Sequence, residues 1–283
     1  MAIRIVTDSA CDLTPKDAEK MGIDLIPLKT YFGEEEYRDG IDLDHDGFFQ
    51  KLIETDVFPT TSQISPYEYE EKFRQMTKNG DEVLCITISS KLSGCYQSAW
   101  IASKEFEGKV YLVDSENACI GERILVEYAC RLKNENYSVQ EMVQILDKKK
   151  KDIRVMALID TLEYLKKGGR ISAVTAIAGN LLSIKPVIAI MHGEVVVVGK
   201  ARGSKAGNNK LSEMISQEGD IDFSMPLCLA YSGLSDMMLR KYMADFSYMY
   251  EGKIDELPIS SIGCVIGTHI GPGGIAVAFF VER

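Results

Sequence analysis

The chain has 283 residues, of which 46% are hydrophobic and 26% charged, with a formal net charge of −10. That length accommodates two domains, and the composition is that of an ordinary soluble globular protein with an ample core. The excess of acid argues against a nucleic-acid binder, which needs a basic face, and the one basic run, residues 148–151, reads as the cationic end of a helix.

In chain order, residues 3–6 predict a short buried strand ending in Thr7-Asp8-Ser9, and Thr14-Pro15 starts a helix that stops at Gly22. Residues 25–28 predict a second strand, residues 31–43 a small hairpin or ordered excursion, and Asp44 or Asp46 the cap of a helix through Ile53. In residues 59–66 (PTTSQISP) two prolines fix φ and remove two backbone donors, so the segment reads as a stiff connection rather than helix or strand. On its own it reads first as a helix entry, with Ser65 as N-cap, Pro66 at the first helical position and Glu68 closing a capping box, and second as a hydroxyl-rich loop that holds a polar ligand group. A helix to Gly80, a strand over 83–88 ending in Ser89-Ser90, a helix over 92–106 and a strand over 110–113 ending in Asp114-Ser115 follow, then helices over 119–134 and 138–150.

The strand–helix alternation predicts a parallel α/β domain over residues 1–152. Its polar strand tips, Asp8-Ser9, Ser89-Ser90 and Asp114-Ser115, belong on one sheet edge, where ligands bind in such folds. After residue 152 the pattern becomes mixed α+β. A strand over 153–159 leads to a short helix ending at Lys167, then Gly168-Gly169-Arg170, an apolar helix over 173–182 and a hairpin (185–191, 194–200) turning at His192-Gly193. Helices over 204–217 and 235–250 and strands over 227–231, 257–262 and 275–281 complete a second domain, 153–283. Residues 263–274, with five glycines and Pro272, read as a tight loop carrying His269.

Several residues carry chemistry. Ser93-Gly94 leads from a strand tip into a helix, where unpaired amides and the helix dipole favour a carboxylate or phosphate and Gly94 lets a ligand approach the backbone; a capped helix with a packing glycine accounts for it equally. Arg170 can clamp a carboxylate or stand solvated after a helix end. His269 in its glycine-rich setting is a ligand contact or a structural histidine. Nucleophilic chemistry is poorly supported: there is no G-x-S-x-G elbow, and a Cys95–His269 pair is remote. Asp8, Asp114 and Asp160 end strands and either bind a metal together or cap helices. Seven scattered cysteines without a C-x-x-C pair argue for reduced thiols in a cytoplasmic setting, three histidines exclude a His-rich metal centre, and no segment approaches the ~18–20 apolar residues that span a bilayer. Polar anchors without an acid–base pair, beside an apolar second half, suit a protein holding an amphipathic ligand.

As a set the motifs resemble those of the DegV family of bacterial fatty-acid-binding proteins: TDSACDL (7–13), YRDGIDL (37–43), PTTSQISP (59–66), SSKLSGCYQSA (89–99), LEYLKKGGRIS (162–172), LLSIKP (181–186), GKARG (199–203) and IGTHIGPGGIA (266–276). The resemblance spans about residues 3–282. It implies two α/β-type domains with a long-chain fatty acid between them. The carboxylate is then held by Thr61, Ser62, Ser93 and Gly94, completed by Arg170 and His269, with the tail in the second domain. It also implies a lipid-binding subunit with no catalysis or cofactor of its own, presenting its ligand to an ATP-dependent fatty acid kinase that makes the acyl phosphate for phospholipid synthesis, with Arg202 at the partner surface. The sequence departs from the family pattern at Cys95, where a threonine is usual, at Ile64, where a proline is common, and at Gly274. The competing reading is a phosphotransferase or hydrolase using Asp8, Asp114 and Ser93.

Overall fold

The structure, a computed structural model, describes residues 2–171 and 184–282. The first half contributes β1 (Ile3–Asp8), α1 (Pro15–Met21), β2 (Asp24–Ile26), β3 (Lys29–Phe32), β4 (Glu35–Arg38), α2 (His45–Glu54), β5 (Thr60–Ser62), α3 (Pro66–Thr77), β6 (Glu82–Thr87), α4 (Cys95–Ser103), β7 (Val110–Asp114), α5 (Ile120–Asn134) and α6 (Val139–Lys149). The second contributes β8 (Ile153–Leu158), α7 (Glu163–Lys167), β9 (Ile184–Met191), β10 (Glu194–Arg202), α8 (Gly203–Gln217), β11 (Cys228–Tyr231), α9 (Met237–Asp245), β12 (Ile259–Ser261), α10 (Cys264–Ile270) and β13 (Ile275–Phe280).

Local chemistry sets the helix starts. Thr14, Ser65 and Ser138 each accept from the amide three residues on, while Asp17, Glu68 and Glu141 bond back to the cap, three complete capping boxes. Each such cap contributes about 1 kcal/mol. Gly22, with φ 64°, ends α1 in the left-handed conformation a side chain resists.

A four-stranded parallel sheet has the order β2-β1-β6-β7, with every strand from the first half. A six-stranded mixed sheet has the order β10-β9-β8-β13-β11-β12, with every strand from the second half. In the mixed sheet the two-residue side-chain period divides the core. Val155 and Ala157 of β8 and Ala276 and Ala278 of β13 join the cluster that also holds Ile5, Leu84 and Ile86 of the parallel sheet. Met156, Leu158, Val277 and Phe279 face the other way, with Leu211 of α8 and Leu239 of α9. Both faces are covered, which is why β13 reads IAVAFF without alternation.

Three expectations are corrected. Residues 60–62 of the proline-bracketed segment form a strand: β5 pairs with β3, closing an antiparallel sheet β4-β3-β5. Pro59 and Pro66 lie outside the three paired residues, so the missing donors cost the ladder nothing. Residues 264–270 are helix α10 rather than a loop. Its interior Gly267 lowers local helix propensity, but the bare Cα lets Phe48 and Phe49 of α2 pack against it, within 2.6 and 3.0 Å of where a Cβ would stand. Packing overrides the glycine signal. The carboxylates of Asp12 and Asp39 then cap α10, accepting from the amides of Gly263 (2.8 Å) and Cys264 (3.0 Å). The helix expected over 92–106 begins at Cys95, because residues 92–94 turn, and a 3-10 turn at 104–106 ends it. The apolar helix expected over 173–182 lies outside the described residues.

Candidate functional site

A cavity lies between the two large sheets, walled by residues from both halves of the chain. The end of β8 at Leu158 leads through α7 to Arg170, and the start of β13 follows α10, which carries His269. The polar groups of the cavity therefore gather at that end. Back along β8, Ala157 and then Val155 line it, with Ile188 and Ile190 of β9 alongside. Ala157 and Ala276 are direct cross-strand partners, and their methyl groups leave open the space that larger side chains would fill.

Thr61, Ser62, Ser93, Arg170 and His269 all line this cavity. His269 Nε2 lies 3.2 Å from Thr61 Oγ1, and its buried Nδ1 has no hydrogen-bond partner among the described residues. Burial, and then the positive charge of Arg170, push its imidazole down to about 4, so it is neutral at pH 7. Arg170 donates from Nε to the carbonyl of Leu92 (3.2 Å) and from Nη1 to that of Gly168 (2.6 Å). It has no carboxylate partner among the described residues. Two adjacent glycines make this placement feasible. Gly169 adopts φ 69°, and a Cβ on Gly168 would stand 2.1 Å from His269 Nδ1. Among the described residues the site thus holds one uncompensated cation, a neutral imidazole and several hydroxyls above an apolar floor.

Gly94 is next to the cavity but does not line it. The space above its Cα is taken by the Gln63 side chain, whose Oε1 would lie 1.9 Å from a Cβ there, and whose Nε2 donates to Ser98 Oγ at 3.0 Å. Gln63 itself lines the site. It sat in view within PTTSQ, but an amide has no signature separating a wall from a turn. Cys119, a further wall residue, has φ 57° and ψ −146°, a conformation nearly reserved for glycine that costs about 1–3 kcal/mol. No sequence pattern marks that strain. Arg202 lies apart, exposed at the end of β10.

The strand tips do meet, as structural ties. Asp8 is fully buried, and its carboxylate accepts from the amides of Ala10 (3.1 Å) and Ile88 (2.9 Å), joining β1 to the end of β6. Asp114 accepts from the amides of Ser90 (3.2 Å) and Glu116 (2.9 Å). These bonds tie neighbouring strand ends of the parallel sheet together. Asp160 pairs with Lys185, and no group of three metal-ligating side chains occurs among the described residues. Burial pushes the Cys95 thiol up to about 12, and its sulfur accepts from Ser93 Oγ at 3.2 Å, so it is no thiolate nucleophile. All seven cysteines are free. No helix among the described residues is long and apolar enough to cross a membrane.

The model of the DegV family of uncharacterised proteins matches residues 2–282. A DegV domain-containing protein of Halalkalibacterium halodurans is 33% identical over 286 residues, covering 99% of each chain. A DegV family protein of Thermus thermophilus, whose structure is described as one of fatty acid binding, is 32% identical with a TM-score of 0.88, covering 99% of this chain and 100% of that one. A stearic-acid-binding protein of Eubacterium ventriosum superposes with a TM-score of 0.89 at 28% identity, covering 99% of this chain and 98% of its own.

Proposed function

The chain belongs to the DegV family, and from that premise we propose that it binds a long-chain fatty acid, with the carboxylate at the Arg170 end of the cavity and the acyl chain along β8 and β9. The observation that carries this reading is Arg170, a cation without a carboxylate partner among the described residues, at the polar end of an otherwise apolar cavity. A buried carboxylate is costly unless several donors converge on it. Arg170, the hydroxyls of Thr61, Ser62 and Ser93, and His269 supply those donors, and Gly94 supports them by admitting Gln63. Each buried methylene adds about 0.8 kcal/mol, so one fixed head and a long tail suffice for tight binding. The cavity volume is about 100 Å³, small against the roughly 300–1,000 Å³ of typical ligand sites, so a long chain enters by parting the walls. Solved relatives described as fatty-acid-binding support the ligand class.

The chain acts as a carrier rather than an enzyme. It presents the carboxylate to an ATP-dependent kinase subunit in the cytoplasm, and Arg202 contributes to the surface that partner reads. Native mass spectrometry of protein purified from cells tests the ligand. A co-purifying fatty acid is expected, and delipidated protein should take one up again. Protein that arrives empty and stays empty in the presence of fatty acid overturns the proposal.

A further inference from the structure

β8 and β9 pair over only three residues, Met156 with Ala189, Ala157 with Ile188 and Leu158 with Val187. Continued register would set Val155 against Ile190 and Arg154 against Met191, but the pairing stops. Yet β8 remains bonded to β13 as far as Ile153, and β9 to β10 as far as Met191. The two strands therefore fork, at the end of β8 away from Arg170.

The fork holds a second cavity of about 470 Å³. Val155, Ala189 and Ile190 line both cavities, so these side chains form a shared wall. Beyond them the lining becomes polar, with Lys150, Lys151, Arg154, His192, Glu116 and Glu218. Both acids are already matched, Glu116 to Lys150 at 3.1 Å and Glu218 to Arg154 at 2.6 Å. The Lys151 ammonium has no ion-pair partner among the described residues, and its side chain is exposed.

We infer that this fork is a second polar end to the ligand site, taking the ω-terminal hydroxyl or carboxylate of a long-chain acid that is polar at both ends, with Lys151 as the cation for an ω-carboxylate. The inference rests on the reading of the apolar cavity as a fatty-acid site. A closed apolar pocket leaves an ω-polar group without partners, which is strongly unfavourable. A wall of three aliphatic side chains opening onto water and a spare ammonium removes that penalty, and forked strands make such a wall easier to part than a bonded ladder.

Titration of the delipidated full chain with palmitic acid and with hexadecanedioic acid, followed calorimetrically, tests this. The diacid is expected to bind within about tenfold of palmitic acid, and Lys151→Glu to widen that gap by about a further tenfold, the worth of a charge-assisted hydrogen bond. Thermal unfolding checks that the exposed substitution leaves the fold intact, and Lys151→Gln should fall between. Palmitic acid bound with the diacid weaker by more than this, or a gap that Lys151→Glu leaves unchanged, overturns the second polar end and spares the fatty-acid reading. Failure of both acids to bind overturns both.

Discussion

His269 Nε2 and Thr61 Oγ1 stand 3.2 Å apart, 208 residues apart in sequence, and join α10 to β5 at the polar end of the cavity. The histidine pays for that position through its charge state. Above pH 6.5 the imidazole is neutral in both the folded and the unfolded chain and has no effect on stability. Burial and Arg170 hold the folded value down to about 4 against 6.5 for the free group. As pH falls from 6.5 toward 4 the unfolded chain therefore takes up a proton that the folded chain refuses, and stability declines, by at most about 3 kcal/mol. Urea denaturation of the chain and of its His269→Gln variant across this range should give a stability difference that is constant near neutral pH and shifts in the variant's favour below it, the variant being less acid-sensitive. Asp8 and Asp12, raised to about 7 mainly by burial, respond with the opposite sign, gaining folded-state stability as pH falls below 7, and cancel in the difference. Parallel curves would exclude this role for His269.

Arg170→Ala removes the only cation that lines the cavity among the described residues. Fatty-acid affinity should fall by about ten- to a hundredfold, the range for losing a charged hydrogen bond, with a much smaller change in melting temperature. Arg170→Lys should recover part of it, because the charge returns without the planar fork. Equal losses of binding and stability would make Arg170 structural.

Ala157→Leu places a branched side chain where two facing methyl groups now leave room. Overpacking should cost about 1–3 kcal/mol in stability. Uptake of long acyl chains should suffer more than uptake of short ones. A uniform loss across chain lengths, measured by competition with a fluorescent fatty acid, would place the tail elsewhere.

Gly267→Ala should destabilise the chain although alanine is the better helix former by about 1 kcal/mol. The new methyl meets the buried rings of Phe48 and Phe49, and rigid rings in a packed core do not yield cheaply. A net loss of about 1–2 kcal/mol in chemical denaturation is expected; a gain would mean that α2 moves freely.

Arg202→Glu changes an exposed residue outside the cavity. Fatty-acid binding should be retained, while phosphorylation by the proposed kinase partner should drop, seen as a higher KM for the loaded chain. Loss of binding would contradict the surface role.

Much of the fold was legible because its signals are local. The Thr14, Ser65 and Ser138 caps each specify a helix start within four residues, and His192-Gly193, with φ of 51° and 82°, sets the β9–β10 turn. What escaped depends on distant partners. β5 exists because β3 offers an edge some thirty residues away, and α10 because two phenylalanines and two aspartates from the first half pack and cap it. The site followed the same division. Its hydroxyls, Arg170 and His269 were visible by residue type. Gln63 over Gly94, Gly168 against His269 and the strained backbone of Cys119 were not, because each is defined by what stands opposite.

The capping of α10 bears on how this gene can be cut. The helix comes from near the chain's end, yet its first amides are held by Asp12 and Asp39 and its flank by Phe48 and Phe49. By packing it belongs with the opening fifty residues. A fragment ending at residue 152 would carry the sockets without the helix and would lack Arg170 and His269. The complementary fragment would carry the helix with its starting amides bare. Neither piece carries the whole candidate site, so recombination that separates the halves should destroy it.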